Sequence, residues 1–391
     1  VSVMPDKGLV GSTIVLSATL ENTQPGATYD LYWTVTDPEG QVASLVGETP
    51  ALVGTKIGNY SVSLAATNRD DAADNAIAAN APIGVFFGPY TNYVTSAQGA
   101  TPVSPFATPE TAATSINAAM AVALPGATVV LDAGEHRVTG AISVETNIVV
   151  LGAGRELTTL RSDGGSHRML LLNDPRAEVS GLTMTGANYG EQGSVVYISG
   201  RGGRLIDCAV VGNNCRTVSR TGGTVDAQSS STFIDRCVFT CNTNSALVKG
   251  RLEGLIHIKG GTIRNSLICK NRLLDSFGDA AVGKVVYLEG SVQMQNCTIA
   301  DNYDEGKAGS ALYSWGDAVV IQNTILANNM APNSTSSSAY LPNLIIGGWP
   351  TISTCCFVGS ASAYGTGSFV SDDAGFVDAA NGNYRLTMDS P

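Results

Sequence analysis

Residues Ser291–Tyr303 read "SVQMQNCTIADNY". An apolar residue precedes Asn-Cys, another follows, and Asp-Asn closes the phrase. Aligned on Cys297, the phrase recurs as "LIDCAVVGN" from Leu205, "IDRCVFTCN" from Ile234, "IRNSLICKN" from Ile263, "IQNTILANN" from Ile321 and "ISTCCFVGS" from Ile352. A weaker copy, "EVSGLTMTG", starts at Glu178. The anchors fall at 181, 208, 237, 266, 297, 324 and 355, spaced by 27, 29, 29, 31, 27 and 31 residues. A near-constant period of this size marks a stacked unit, so each residue of the phrase belongs with its counterparts in the other copies.

Each column has a physical meaning. The residue two after the anchor is apolar in Val210, Phe239, Ile268, Ile299, Leu326 and Phe357, and the residue three before it is apolar from Leu205 to Ile352. These columns lie five apart, and an odd separation cannot keep both on one face of a straight strand, so the chain bends between them. The bend falls at Asp207, Arg236, Asn265, Asn296, Asn323 or Thr354. Asn and Asp tolerate the left-handed conformation a sharp bend needs. Five after the anchor stand Asn213, Asn242, Asn271, Asn302 and Asn329, a column able to form an amide ladder from copy to copy. Upstream of the motifs lies a second set of short strands, "VVYIS", "GTVDA", "LIHIK", "VVYLE" and "ALYSW". One unit cannot bury its own apolar face, whereas a stack can, with turns about 4.8 Å apart.

The composition agrees. Charged residues are 14% against 43% hydrophobic, with 44 glycines, which favours β structure with tight turns over helical bundles. A net charge of −11 argues against nucleic acid as partner. No apolar run is long enough to span a membrane. The chain starts at Val1 and stops at "RLTMDSP", and reads as a piece of a longer or processed protein.

Residues 1–68 alternate with period two in "STIVLSATLE", "TYDLYWTVTD" and "GNYSVSLAATN", separated by "TQPG" and "DPEG" turns, which predicts a β-sandwich. The pair "YWTVTDPEG…GNYSVSLAATN" resembles immunoglobulin-like, PKD-like modules of secreted and surface proteins, expected here as a spacer. Residues 69–89 read as a linker. Its carboxylates Asp70, Asp71 and Asp74 could hold Ca²⁺, but they lack an EF-hand spacing with Gly and a terminal Glu, so a solvated linker is the better reading. In "TPETAATSINAAMAVALPGATVVLDAGEHRV", Thr108 is the expected N-cap of a helix with Pro109 at its first position, Ile116, Met120 and Val122 forming its apolar side.

That segment, together with the "NC-x-I-x-x-N" rungs, resembles the right-handed parallel β-helix, or pectate-lyase-like, superfamily over residues 90–375. The tail "DDAGFVDAANGNYRLTMDSP", with 376–391 as a closing segment, resembles the end of large bacterial surface β-helix proteins, in which the chain continues. The resemblance implies an all-β chain, a helix capping the β-helix, and an extracellular or cell-surface setting in bacteria. It implies a structural or adhesive role, with polysaccharide or other surface proteins as partners and self-assembly open. The alternative is a polysaccharide lyase or hydrolase acting on an acidic glycan, and a third option is a viral or filament spike.

Candidate chemistry lies on the upstream strands. If Val196/Ile198, Ile256/Ile258 and Val286/Leu288 face inward, Tyr197, His257, Tyr287 and Tyr313 face outward, beside Lys259, Glu289 and Trp315. Such a column suits stacking on sugar rings, or packing under a loop. A lyase would use His257 or Lys259 as base, with Arg264 or Arg251 neutralising the substrate carboxylate. A hydrolase would need a carboxylate pair, for which Asp226 and Asp317 are the outward candidates. His136 and His167 read as structural. Between Arg201 and Lys284 there are 12 basic and 6 acidic residues, a balance of +6, against −17 (10 − 27) elsewhere. This band points to an anionic partner or to charge pairing between rungs. Of the eight cysteines, four fill the anchor column as small core residues, and Cys215 with Cys241 is a possible bridge. No metal-ligand spacing or cofactor motif is present.

Overall fold

The structure, a computed structural model, describes all residues except 1, 4–5, 21–22, 24, 72–76, 79–81, 191, 218–222, 247–253, 275–283, 308 and 339–340. From Thr91 onward the chain coils into a parallel β-helix. Each repeat contributes short strands to three successive faces, four turns add a strand to a fourth, four-stranded sheet (Asn214–Thr217, Thr243–Ala246, Arg272–Leu274 and Tyr303–Asp304), and the strands pair in parallel with their counterparts one turn away. Crossover connections between parallel strands of one sheet are right-handed in nearly all cases, which is the hand expected of this coil.

The first two faces are arms of one sixteen-stranded sheet. Face one includes Val196–Ile198, Val225–Ala227, Leu312–Trp315 and Leu344–Gly347. Face two includes Gly203–Ile206, Thr232–Asp235 and Val320–Gln322. Two long strands, Ile256–Arg264 and Val286–Gln295, run through both arms. They turn the corner without leaving the ladder at a register irregularity between Ile258 and Gly260. Gly261 there has φ +91°, and a Cβ on it would sit 2.2 Å from the Thr232 carbonyl oxygen, so only glycine fits. Face three is a ten-stranded sheet from Gly134–Val138 to Phe369–Ser371.

Between faces two and three the chain bends at one residue, as the repeat predicts. Asp207, Arg236, Asn265, Asn296, Asn323 and Thr354 all have φ between 49° and 54°. The two apolar columns therefore both reach the interior: Leu205, Ile234, Ile263, Val210, Phe239 and Ile268 are fully buried. Each such side chain contributes about 1.5–3 kcal/mol by leaving water. The anchor thiols Cys208, Cys237, Cys297 and Cys355 lie in the same core. Burial raises all four thiol pKa values, those of Cys237 and Cys297 to about 12, so they act as small apolar residues. Cys215 is buried while Cys241 is exposed, and both are free, so the two do not form the bridge that their spacing left open.

A second bend follows face three. Cys241, Lys270, Asp301 and Asn328 hold φ of 53–55°, a bend the repeat alignment does not anticipate because its residues share no chemistry. Just inside it stands the amide ladder. Asn213 Nδ2 donates to Asn242 Oδ1 at 2.9 Å, and Asn242 to Asn271, Asn271 to Asn302 and Asn302 to Asn329 each at 3.0 Å. Asn329 extends the row to Asn343. Each amide also bonds backbone groups of neighbouring turns, as Asn271 does with the Phe239 carbonyl and the Asn242 N–H.

Before the coil, two sheets share one core. One is Ser2–Val3, Thr13–Ser17 and Ala51–Val53; the other includes Lys7–Leu9, Tyr29–Thr36, Val42–Val46, Gly58–Asn68 and Ile83–Gly88. Ile14 and Leu16 meet Trp33, Tyr60 and Phe87 between them. The expected linker 69–89 is corrected at its end. Ile83–Gly88 pairs with Gly58–Asn68 and buries Val85 and Phe87, so apolar alternation there makes a strand. The expected helix starting at Pro109 is also corrected. Pro109–Thr111 is one 3₁₀ turn, with a reciprocal Thr108–Thr111 contact, and the α-helix is Ile116–Val122, burying Ile116 and Ala119 while Met120 and Val122 are only partly covered.

At the other end the closing segment folds back. The hairpin of Phe376–Asp378 and Asn383–Leu386 covers the outer side of face three, where Tyr384 packs with Cys269, Ala300, Ala327 and Cys356. Tyr384 donates to Asp301 at 2.5 Å, and Lys270 donates to the Ala380 carbonyl at 2.8 Å.

Candidate functional site

Parallel register sets the outward column of face one. Tyr197 pairs with Asp226, Asp226 with His257, His257 with Tyr287, and Tyr287 with Tyr313. Their strand neighbours, including Val196, Ile198, Ile256, Ile258, Val286 and Leu288, are fully buried in the core, as the period-two pattern requires.

The column is not a uniformly open aromatic surface. Asp226, His257 and Tyr287 are buried, at 0%, 1% and 9% exposure, Tyr197 and Tyr313 are half-buried, and Trp315 is 52% exposed. His257 stacks on Tyr287 with ring centres 4.9 Å apart and planes 14° apart. Its Nδ1 lies 3.0 Å from Asp226 Oδ1 and its Nε2 lies 3.1 Å from Glu289 Oε2. An ionised carboxylate oxygen only accepts, so this placement of one carboxylate at each ring nitrogen favours the imidazolium form. Burial opposes that charge, but the two carboxylates outweigh it and hold the pKa above the ordinary histidine value. Gln228 donates to Asp226 at 2.5 Å and completes the cluster.

This arrangement brings His257, Glu289 and Lys259 together but leaves Arg264 apart. Lys259 Nζ lies 3.9 Å from Glu289 Oε1 and its side chain is half-exposed. Arg264 stands beyond the Gly260–Gly261 corner on face two, donating to Asp235 at 3.1 Å and covering the Phe233 ring. Arg251 lies outside the described residues. His257 is buried and engaged on both ring nitrogens, so of the two base candidates only Lys259 reaches solvent. Asp226 is enclosed with His257, and Asp317 accepts the Trp349 backbone N–H at 2.8 Å, so the two do not share a site for hydrolysis.

Toward the last turns the column opens. Tyr287 and Tyr313 are 5.4 Å apart, and Tyr313 and Trp315 are 6.1 Å apart with planes within 19°. Trp315 pairs with Gly347, where a Cβ would meet its ring at 2.3 Å. That glycine lets the indole lie flat on the sheet. Lys284 Nζ sits 4.0 Å from the Tyr313 ring centre, and Arg168 caps Tyr197 at 4.3 Å. Lys284, Arg168, Gln228 and Gly347 escape motif reading, although the repeat period alone places Asp226 in the column.

Much of the basic band is spent on neighbours. Arg204 pairs with Glu178 at 3.1 Å, and Arg236 and Arg264 share Asp235. His136 and His167 contact backbone carbonyls of the first turns. Of the carboxylates considered for Ca²⁺, Asp70 accepts the Thr28 N–H at 3.0 Å, and Asp74 lies outside the described residues. Among the described residues no group of three or more His, Cys, Asp or Glu is placed to hold a metal, and no helix is long and apolar enough to cross a membrane.

No family model matches the chain, and no curated protein matches it. Among solved structures it is similar to pectin methylesterase PemA from Erwinia chrysanthemi, with a TM-score of 0.38 and 11% identity over 76% of this chain and 98% of that one. It is similar to the A-module of mannuronan C-5 epimerase AlgE4 from Azotobacter vinelandii, with a TM-score of 0.31 and 14% identity over 62% and 88%. A third is the catalytic unit of a GH87 α-1,3-glucanase from Streptomyces thermodiastaticus, with a TM-score of 0.21 and 12% identity over 92% and 88%. Scores and identities this low carry no argument about activity, and the β-helix of this chain rests on its own strand pairing.

Proposed function

We propose that this chain is an extracellular, cell-surface β-helix that engages polysaccharide through the open end of the face-one column. The observation that carries this is Trp315, half-exposed, flat beside Tyr313 and seated over Gly347. A flat aromatic surface with charged Lys259 and Glu289 at its edge suits a sugar ring, whose apolar face stacks and whose hydroxyls seek polar partners. The N-terminal sheets are proposed as an immunoglobulin-like spacer at 1–68, and helix Ile116–Val122 as a cap on the coil, in line with its buried Ile116 and Ala119.

Binding without turnover is the favoured form, because His257 is already engaged on both nitrogens. The enzymatic alternative on an acidic glycan rests on Lys259, the exposed base candidate. The test is titration calorimetry of the whole chain against neutral and uronate polysaccharides, with Trp315→Ala alongside. The variant is expected to keep its melting temperature and lose about tenfold in affinity. A variant that binds as tightly as wild type overturns the site. Release of unsaturated product, abolished by Lys259→Ala, would replace binding by lyase action.

A further inference from the structure

Of the eight cysteines, all free, Cys241 is exposed and the other seven are buried. Cys241 sits at the second bend, with φ 55°, directly after the face-three strand Val238–Thr240. Thr240 pairs with Cys269 of the next turn, so Cys241 and Cys269 stand on adjacent turns one residue out of register. Strands about 4.8 Å apart that rise about 3.3 Å per residue place such diagonal Cα atoms about 6 Å apart, within the range a disulfide spans.

Both sulfurs lie on the outer side of face three. Phe239 and Ile268 fill the coil interior, so their strand neighbours Thr240 and Cys269 face outward. The Thr240 hydroxyl touches both sulfurs, Cys241 Sγ at 3.5 Å and Cys269 Sγ at 3.3 Å. The Cys241 N–H also reaches the Cys269 carbonyl, at 3.4 Å. Cys269 is 3% exposed and packs with Tyr384 of the closing hairpin, and burial pushes its thiol pKa up. The other thiols lack this combination of proximity and access. Cys208 and Cys237 share the buried core, and Cys215 pairs with Asn244 rather than Cys241.

We propose that Cys241 and Cys269 form a two-thiol modification site, which a small-molecule disulfide converts into a bridge between consecutive turns. Cys241, open to solvent, reacts first. Its sulfur bonds to one sulfur of the small disulfide, that S–S bond breaks, and the other half leaves as a thiol with the proton Cys241 gives up. Cys269 then attacks Cys241 Sγ, the mixed disulfide breaks, and the second half leaves as a thiol with the Cys269 proton. Two cysteine thiols are oxidised and one small disulfide is reduced to two thiols. The bridge closes next to Asn242 and Asn271, so it fastens the same two turns that the amide ladder joins.

The experiment treats the whole folded chain with oxidised glutathione, blocks the remaining thiols and maps the digest by mass spectrometry. The expected product joins the Cys241 and Cys269 peptides, is reversed by dithiothreitol and melts about 5 °C above the reduced chain. Cys269→Ser is expected to stop at a stable glutathione adduct on Cys241, and Cys241→Ser to give neither adduct nor bridge. Cys269→Ala repeats the first variant without adding a polar group beneath the hairpin. An adduct on Cys241 that persists in wild type as it does in Cys269→Ser overturns the proposal. So does an absence of reaction, or a bridge between another pair in comparable yield. A bridged chain that melts no higher than the reduced one overturns the fastening of the turns.

Discussion

Two rows of buried polar side chains climb the same coil, and they are built on different plans. The inner ladder repeats one residue, from Asn213 to Asn329, and every turn satisfies the next with the same bonds. The face-one column changes residue at each step, Tyr197, Asp226, His257, Tyr287, Tyr313, and its charged members contact one another as a set, leaving Asp226 Oδ2 without a hydrogen-bond partner. Repetition makes the ladder a structural device that any added turn can extend. Variation makes the column specific to a few turns, which is where a protein of repeated parts can hold chemistry.

The largest effect should come from breaking the ladder at its middle. Asn271→Ala removes the partner of the Asn242 N–H and amide, the side-chain donor to the Phe239 carbonyl, and one of the two donors to Asn302 Oδ1, all buried. The expected loss is about 4 kcal/mol, from several unsatisfied buried groups at about 1–3 kcal/mol each. The matched control is Asn296→Ala in the exposed outer row, where Asn323 donates to Asn296 and Asn296 to Asn265. It should cost about 1–2 kcal/mol, chiefly from alanine at positive φ. Equal thermal shifts for the two would end the distinction between an inner supporting row and an outer one.

Next in size is the cluster around His257. His257→Asn leaves Asp226 buried without its cation, for about 3 kcal/mol. The sign of its pH dependence follows from the raised pKa. The protonated ring is favoured in the folded chain, so its contribution is complete below the ordinary histidine value of about 6.5 and is lost as pH rises through the higher folded value. The gap in melting temperature between wild type and variant should therefore narrow toward alkaline pH. A gap that widens with pH would mean that the folded ring is neutral and remains a candidate base.

The smallest effect concerns the thiols. Cys241 is exposed at the second bend, whereas the other seven are buried. A maleimide should label Cys241 first under native conditions, and mass spectrometry of the digest will locate the adduct. Labelling of Cys297 at the same rate would show that the turns open, and the ladder would then be less rigid than its bonding implies.

Much of the coil was legible beforehand because its signals recur. Asn265, Asn296 and Asn323 announced the bend by chemistry, and the Asn213–Asn329 column announced the ladder by spacing. The second bend stayed hidden because Cys241, Lys270, Asp301 and Asn328 share a backbone conformation and no side-chain type. On face one, inward and outward sets followed from period two, but exposure did not. His257 and Tyr287 point away from the coil interior and are buried all the same. Arg264 lies five residues from Lys259 in sequence, yet the Gly260–Gly261 corner sends it to another face.

The sequence by itself determined the coil, its period, its interior columns and its inner ladder. These depend on local backbone preference and on apolar spacing, which every copy restates. Only the tertiary structure decided which outward residues are enclosed, that His257 is clamped by carboxylates on both sides, that Trp315 lies open over Gly347, and that the closing hairpin folds back onto face three. Those outcomes depend on contacts between turns and between the coil and its closing hairpin, where residues some 29 or 110 positions apart meet, and no local pattern encodes such a meeting.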